Sequence, residues 1–249
     1  MNDRNSVHAP KSEGYHVSIK PKLFVAIAMS LHVCIFILSA SVSFAVERPN
    51  VLFIAADDMN CDLGAYGHPL VKTPNLDQLH AASVRLTNFH VSPFCTPTRA
   101  ALMTGRYPAR TGAYRTSCGR TMMHTDERTI ADQFTENGYQ TGMFGKWHLG
   151  DNAPHRPQDR GFDDVLWHRC GGVGQASDFW GNDYFDDTYD RNGQPEKLDG
   201  YCTDIWFRES MSFIEQNKNQ PFFLYLATNA PHGPYRVAPE WAEPYQDNP

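Results

Sequence analysis

Continuous apolar runs alternate with amphipathic segments along the chain from residue 51 onward. The runs at residues 51–56 and 222–227 are typical of strands that are buried on both faces of a sheet. Residues 139–144 predict a shorter strand, and the alternating residues 84–91 predict another. Helices are predicted at residues 75–82, from residue 95 onward, at 129–137 and at 203–217.

Local signals mark the ends of these helices. Asn75 follows Pro74 and is placed to cap the first helix. Gly138 is placed to end the third helix in a left-handed conformation. The fourth helix is amphipathic, and one of its faces carries Trp206, Ser210, Phe213 and Ile214.

Residues 151–200 are rich in Gly, Asp, Asn, Pro and aromatic side chains. This composition predicts an irregular excursion with a small hairpin at most. Long segments of this kind are usually lids or pocket walls, so residues 167–201 are expected to border a pocket. His168 and Arg169 are candidates for contact with a ligand, and a solvated surface loop is at least as good an interpretation.

The alternation of strands and helices indicates an α/β fold with a mostly parallel sheet. In such folds ligands bind at the carboxyl ends of the strands. Asp57, Lys146, His148 and His232 lie just beyond the carboxyl ends of three predicted strands. Their convergence is stronger evidence for a site than any one of these residues.

Composition narrows the range of functions. The 249 residues, 41% of them hydrophobic, suffice for one sizeable domain with its own core. The formal net charge of −6 argues against a general nucleic-acid-binding protein, which would carry a basic face. A local cationic pocket for an anionic substrate remains compatible with this charge.

The first 45 residues resemble a secretion signal. Lys11, Lys20 and Lys22 precede an apolar run at residues 23–45, and the small residues at 43–45 favour cleavage after Ala45. The run is also long enough for an uncleaved membrane anchor, since about 20 residues span a bilayer. Either interpretation places the domain outside the cytoplasm, in the periplasm or the extracellular space, with membrane association only if the segment is uncleaved.

The chain has six cysteines, which fall into different classes. Cys34 belongs to the signal segment, and Cys95 is the candidate for chemistry. The even number that remains allows two disulfides in an oxidising compartment, with three alternative pairings. Four buried free thiols are an equal alternative for these residues, which are Cys61, Cys118, Cys170 and Cys202.

The segment Cys95-Thr96-Pro97-Thr98-Arg99 carries the strongest chemical signal. Pro97 suits the first turn of a helix, and Arg99 is one turn above Cys95 on the same face. Free backbone N–H groups and the helix dipole favour an anion beside Cys95. Thiol phosphatases place their arginine six positions after the cysteine, and Ala101 stands there in this chain, so that interpretation fails.

Three further groups suit an anionic substrate and a cation. Adjacent carboxylates at Asp57 and Asp58 favour a hard divalent cation, although such pairs are often only solvated turns. Lys146 and His148 are two residues apart in an extended segment, so both side chains can reach one pocket. Lysine offers a positive charge there, and histidine can carry a proton near neutral pH. His232 lies between two prolines that stiffen its loop.

The pattern C-x-P-x-R at Cys95, with the continuation Leu102-Met103-Thr104-Gly105-Arg106, resembles the signature of type I sulfatases of the alkaline phosphatase superfamily. The resemblance runs from about Arg48 to near the end of the chain. It implies a mostly parallel central sheet with helices on both faces. It also implies that a formylglycine-generating or sulfatase-maturating enzyme oxidises Cys95 to formylglycine.

The resemblance further implies a metal and a mechanism. One Ca²⁺, or alternatively Mg²⁺, would be held by Asp57, Asp58 and the modified Cys95. The hydrated aldehyde would attack sulfur with support from the metal and Arg99. Lys146 and His232 would neutralise the sulfate and the leaving group, and His148 would take the proton that releases sulfate.

The family pattern also contains parts that are not matched here. An Asp–Asn pair of metal ligands, a second lysine and a smaller C-terminal subdomain are expected well after His232. Asp247 and Asn248 follow that loop too closely to be assigned. The expectation is therefore that residues 46–249 form the N-terminal portion of a truncated catalytic domain, with an incomplete metal shell and an open sheet edge.

Sulfate-ester hydrolysis is the first functional hypothesis. A phosphonate or phosphodiester hydrolase of the same superfamily is the second, and an inactive fragment that binds sulfated glycans is the third. A sulfated polysaccharide or its fragments, or equally an aryl sulfate, is the expected substrate.

Overall fold

Six strands form one mixed sheet in the computed structural model, which describes residues 48–116, 122–173 and 183–247. The strands are β1 (Val51–Asp57), β2 (Gln140–Lys146), β3 (Asp164–His168), β4 (Thr188–Arg191), β5 (Gln194–Lys197) and β6 (Phe222–Pro231). Their spatial order is β1-β6-β2-β3-β4-β5. The first four strands in this order run parallel, and β4 and β5 add an antiparallel hairpin at the far edge.

The helices of the described residues connect these strands. They are α1 (Pro74–Ala81), α2 (Cys95–Thr104), α3 (Pro108–Thr111), α4 (Ile130–Glu136), α5 (Cys202–Asn217) and α6 (Pro239–Ala242). Short 3-10 turns occur at Gly64–Tyr66, Pro157–Asp159 and Glu243–Tyr245. The element order confirms the predicted α/β fold.

Helices cover both faces of the central strands, as the resemblance implied. On one face α2 and α4 pack over Phe223 and Tyr225 of β6. On the other face α5 packs over Leu224 and Leu226 of the same strand, with Trp206 at the centre of the contact. Because β6 is buried on both faces, its sequence is a continuous apolar run, as expected for a central parallel strand.

Two predictions about strands are wrong. Residues 84–91 form no strand, and their apolar side chains are exposed without a partner strand. The segment 151–200 is less irregular than expected, because it contains β3 in addition to the predicted hairpin of β4 and β5. The apolar run of β3 is short, because Asp164 and His168 stand at its two ends. The sequence alone therefore did not indicate a buried strand there.

The helix ends differ from the predictions by a residue or two. Pro74 is the first residue of α1 and Thr73 precedes it as the cap, so the prediction of Asn75 as cap is wrong. Thr129 caps α4 through a reciprocal capping box with Asp132. Gly138 has a φ of +75° just after that helix, which confirms the predicted left-handed end.

The cysteines do not form the two disulfides considered above. Cys61 and Cys202 are free thiols, so at most one pair remains among the four candidates, and Cys118 lies outside the described residues. Cys61 is also exposed, which contradicts the alternative of four buried thiols. The predicted signal segment, residues 1–45, lies outside the described residues as well. Within the described ranges, no helix combines the length and the hydrophobicity needed to cross a bilayer.

Candidate active site

Three adjacent strands deliver their polar ends to the same edge of the sheet. Asp57 is the last residue of β1, Lys146 is the last residue of β2, and His232 directly follows β6. Because β6 lies between β1 and β2 and all three run parallel, these residues meet at the carboxyl edge. Helix α2 begins at the same place with Cys95. The site is therefore assembled from four segments that are distant in sequence.

Cys95 lies among charged groups. Its Sγ is 3.4 Å from Nζ of Lys146, and the thiol donates to Oδ2 of Asp57 at 3.9 Å. Burial raises the pKa of the Cys95 thiol above its usual range, although Lys146 and Arg99 act in the opposite direction. An unmodified cysteine here is consequently a protonated thiol at neutral pH rather than an activated thiolate.

Asp57 is a buried carboxylate held by two cations. Lys146 donates from Nζ to its Oδ2, and Nη2 of Arg99 lies 3.6 Å from its Oδ1. Desolvation by burial would raise the pKa of Asp57, but Arg99 and Lys146 outweigh it and lower that pKa. Asp57 is therefore ionised, and it balances part of the positive charge beneath the site.

Arg99 is buried with its guanidinium turned into the protein. Its Nη1 donates to the backbone oxygen of Lys146 at 2.6 Å and to the hydroxyl of Tyr225 at 3.0 Å. These contacts tie α2 to β2 and β6. These hydrogen bonds hold the positive charge of Arg99 in a fixed position.

His148 is placed two residues beyond the end of β2 in a left-handed conformation, with a φ of +60°. Its backbone oxygen accepts a hydrogen bond from the Thr96 hydroxyl at 3.0 Å, which joins this loop to the start of α2. Both ring nitrogens are buried, and neither has a hydrogen-bond partner. Burial, reinforced by Lys146 and Arg99, lowers the pKa of His148 to about 3, so the ring is neutral at pH 7.

His232 and Asp58 form the open side of the site. Nε2 of His232 lies 3.4 Å from Oδ2 of Asp58, and the two side chains are 25% and 61% exposed. Two hydrogen bonds hold the turn that carries His232. The His232 amide donates to the backbone oxygen of Asn229 at 3.1 Å, and the Tyr184 hydroxyl donates to the backbone oxygen of His232 at 3.4 Å. Asn229 in turn accepts from the indole of Trp206 at 3.1 Å.

The donor set fits a divalent cation. Ligand atoms of Asp57, Cys95 and His232 lie within 4.8 Å of one another, and the carboxylate of Asp58 contacts the same histidine. Carboxylate oxygens are the ligands that hard cations prefer. Asp57 and Asp58 supply such oxygens here.

The structure brings the predicted catalytic and metal-binding residues to one edge of the sheet. Asp57 contacts Cys95, Arg99 and Lys146. The backbone of His148 is bonded to Thr96 at the start of α2, and His232 lies beside Asp58. A cavity of about 1130 Å³ opens at Cys95, and its walls include Asp58, Arg99, Phe89, Phe94 and Tyr107.

The structure separates two other candidates for ligand contact. His168 is buried at the end of β3, where it is paired in register with Lys146 and lies near Trp206. Arg169 pairs with Asp190 at 2.9 Å and is partly exposed, so its contact with a ligand stays a prediction. Tyr225 was overlooked altogether. A tyrosine inside an otherwise apolar strand was the available signal, because a buried hydroxyl needs a partner.

Comparisons with known proteins point to one family. The sulfatase family model matches residues 49–248. Human arylsulfatase A is 36% identical over 233 residues, covering 83% of this chain and 46% of that protein. The arylsulfatase of Klebsiella aerogenes is 32% identical over 235 residues, covering 88% of this chain and 50% of that protein.

Solved structures give the same result. Ps i-CgsB in complex with k-i-k-neocarrahexaose superimposes with a TM-score of 0.74 and 34% identity, covering 82% of this chain and 49% of that one. BT4656 in complex with its substrate D-glucosamine-2-N,6-O-disulfate gives a TM-score of 0.69 and 29% identity, covering 81% and 38%. The chain spans about half the length of the curated relatives it matches. With the family pattern matched across nearly all of the described residues, this chain belongs to the sulfatase family.

Proposed function

We propose that the domain from residue 46 onward hydrolyses sulfate esters with a formylglycine made from Cys95. The observation that carries this proposal is the position of Sγ of Cys95 beside Nζ of Lys146 and the Asp57 carboxylate, with Arg99 behind them. Positive charge of this kind suits an anionic group, whereas the raised pKa of the thiol does not suit a thiolate nucleophile. A precursor that becomes reactive by oxidation accounts for both features.

The modified side chain would supply a hydrated aldehyde whose hydroxyl loses its proton and attacks sulfur, while the bond from sulfur to the leaving oxygen breaks and that oxygen takes up a proton to leave as the alcohol. A divalent cation, proposed to be Ca²⁺ with Mg²⁺ as the alternative, would be held by Asp57, Asp58 and residue 95 and would supply positive charge at that hydroxyl. The other steps depend on side chains of this chain. Its maturation requires a formylglycine-generating or sulfatase-maturating enzyme as a partner.

Each remaining residue has a role that fits its surroundings. Lys146 is held by Asp57 beside residue 95, so its ammonium group can neutralise a sulfate oxygen. Arg99 is fixed and charged, which suits it to orient the hydroxyl on residue 95. His232 lies on the open side, where a leaving alcohol would depart.

His148 suits the second half of the reaction. Its pKa of about 3 keeps the imidazole neutral at pH 7, and its ring nitrogens have no competing hydrogen-bond partner. A pKa this low makes the free imidazole a weak base, and the negative charge of a sulfate ester on residue 95 would raise this pKa. A ring nitrogen would then accept the proton of the second hydroxyl on residue 95 while the carbon–oxygen bond to sulfate breaks and the aldehyde C=O forms again. Addition of water to the aldehyde restores the hydrate.

The proposed substrate is a sulfated glycan or one of its fragments. Two solved relatives carry carbohydrate ligands, k-i-k-neocarrahexaose and a disulfated glucosamine. The aromatic side chains of Phe89, Phe94 and Tyr107 line the cavity at Cys95 and suit contact with a sugar or aryl ring. We also propose that residues 1–45 export the protein to the periplasm or the extracellular space, where such polymers occur.

The test is a pair of turnover assays on protein co-expressed with a maturating enzyme. Release of sulfate from an aryl sulfate and of the aryl alcohol from an aryl phosphodiester is measured side by side with Ca²⁺ present. We expect faster turnover of the sulfate, loss of activity in Cys95→Ala, and full activity in the matched variant Cys61→Ala, whose exposed thiol makes none of the hydrogen bonds described for the charged cluster.

Two results would overturn the proposal. A large preference for the phosphodiester would assign the site to the second class of hydrolase. Weak Ca²⁺ binding together with no turnover of either ester, from protein with a confirmed aldehyde at residue 95, would favour the inactive, glycan-binding alternative.

A further inference from the structure

Tyr225 occupies an unusual place for a polar group. It lies in the middle of β6, it is almost fully buried, and its ring contacts Phe53 and Phe162 at centroid distances of 5.7 and 6.3 Å. Its hydroxyl nevertheless reaches the charged cluster, where it accepts a hydrogen bond from Nη1 of Arg99 at 3.0 Å. A phenylalanine would fill the same space among these rings without making this bond.

The partners of Arg99 come from three neighbouring strands. The backbone oxygen of Lys146 is the partner from β2, the Tyr225 hydroxyl is the partner from β6, and Asp57 is the partner from β1. Two of these acceptors share Nη1, which leaves Nη2 directed towards the Asp57 carboxylate. The pair of acceptors on Nη1 therefore sets the rotation of the guanidinium plane.

Without the Tyr225 hydroxyl, one of the two acceptors on Nη1 is lost. Arg99 and Tyr225 lie at the wall of the cavity but are only 5% and 1% exposed, which leaves little room for water to replace that acceptor. The hydrogen bond from Nη1 to the backbone oxygen of Lys146 fixes the direction of one N–H bond. It does not by itself fix the plane of the guanidinium group. Hydrogen bonds to charged groups are worth more than those between neutral groups, and an unsatisfied buried donor is costly. Nη1 would then keep the backbone oxygen of Lys146 alone, and the guanidinium would be freer to turn away from the Asp57 carboxylate.

We propose that Tyr225 is a positioning residue that fixes the Arg99 guanidinium against Asp57 and residue 95. The contact itself depends only on the fold, whereas its effect on turnover rests on the proposed sulfatase function. Tyr225 touches neither Cys95 nor Lys146 Nζ through any described hydrogen bond, so its influence on the reaction passes through Arg99.

The test is a double-mutant cycle. Tyr225→Phe is expected to lower kcat about tenfold with little change in KM, since one charge-assisted hydrogen bond is removed. In the Arg99→Lys background the same substitution is expected to change kcat less than about twofold, because its effect passes through Arg99. Tyr139→Phe is the matched control. It removes the hydroxyl of a tyrosine that packs on Phe134 away from the site, and it should leave kcat unchanged.

An equal loss in both backgrounds, or no loss from Tyr225→Phe, would overturn the inference. The same cycle is read in unfolding temperatures, which need no turnover. Tyr225→Phe should lower the unfolding temperature of the native chain more than that of Arg99→Lys, and equal decreases would again overturn the inference.

The readouts separate the two proposals. If the mature protein turns over no sulfate ester, the proposed function fails, and the unfolding temperatures alone decide the role of Tyr225. If Arg99→Lys does not fold, ¹⁵N spectra of the arginine guanidinium groups in Tyr225→Phe decide it. Faster rotation of the Arg99 group than in the native chain supports the inference, and unchanged rotation contradicts it.

Discussion

β6 and β1 are neighbours in the same sheet and end at the same site, yet their surroundings are opposite. The first eight residues of β6 are all buried, between α5 on one face and α2 and α4 on the other. In β1, Leu52, Phe53 and Ile54 are 47%, 37% and 49% exposed, and only Asp57 at the end is buried. The described residues pair β1 with β6 on one side alone.

This difference divides the candidate site into two halves. Lys146 and Arg99 are anchored in the packed half by burial and by hydrogen bonds to backbone and Tyr225. Asp58 and His232 lie on the half that faces solvent. The packed half therefore fixes charge in advance, which is how a site stabilises a developing charge without reorganising. The open half leaves room for a cation and a leaving group.

The largest effect should follow from breaking the charge pair in the packed half. Lys146→Met removes one of the two cations that pair with the buried Asp57 carboxylate, and we expect a loss of about 3–5 kcal/mol in the free energy of unfolding. Lys218→Met is the matched control, because Lys218 pairs with Glu215 at the exposed surface. That change should cost less than about 1 kcal/mol in urea unfolding. Similar losses in the two variants would contradict the division into halves.

The next effect compares two leucines that are register partners. Leu224 of β6 is fully buried, and Leu52 of β1 lies beside it but is half exposed. Leu224→Ala should cost about 2–5 kcal/mol because it leaves a cavity in the core. Leu52→Ala should cost clearly less, since its side chain already contacts water. Chemical unfolding of both variants checks this, and equal losses would show that β1 is as well packed as β6.

A smaller effect concerns pH and two histidines of the packed half. Burial lowers the pKa of both His148 and His168 to about 3, well below the ordinary value near 6.5. Between these values the unfolded chain binds more protons than the native chain, so the free energy of unfolding falls as the pH decreases from 6.5 towards 3. Each histidine contributes at most about 1.4 kcal/mol per pH unit.

His168→Leu tests that contribution away from the proposed chemistry. The slope of unfolding free energy against pH should become smaller in this window, because one of the two neutral histidines has been removed. Urea unfolding at several pH values between 4 and 6.5 gives the slope. An unchanged slope would mean that His168 is protonated in the native protein.

The smallest effect on stability is expected at the edge of the sheet. Ile54→Lys places a charge on β1 where the side chain is half exposed, so the unfolding temperature should change little. The soluble fraction should rise, because a charged residue discourages pairing of exposed edge strands. Sedimentation of native and variant protein measures this. Lower solubility in the variant would indicate that Ile54 is buried in solution.

The sequence predicted which polar side chains lie together better than it predicted the sheet. Asp57, Lys146 and His232 were found because each follows an apolar run, and parallel strands bring such positions together whatever the details of the connections. Cys95 and Arg99 were found because their relation is local, within one turn of α2. A single sequence reveals features of this kind, which depend on a few neighbouring residues.

The errors have the opposite character, since they depend on partners that are distant in sequence. Residues 84–91 alternate like a strand but have no neighbour to pair with, whereas β3 is short and is made a strand by its pairing with β2. Tyr225 and Arg99 are 126 positions apart, so no local pattern indicates their hydrogen bond. The sequence placed His168 in a loop that could contact a ligand. It is buried by β2 and α5, which are distant in sequence, so no local pattern indicated its burial.

The central claim is that residue 95 acts as a precursor made reactive by oxidation. Its most direct test is the mass of the peptide that carries residue 95, isolated from protein made in its native host. The account predicts an aldehyde in place of the thiol. An unmodified thiol in that peptide would contradict it.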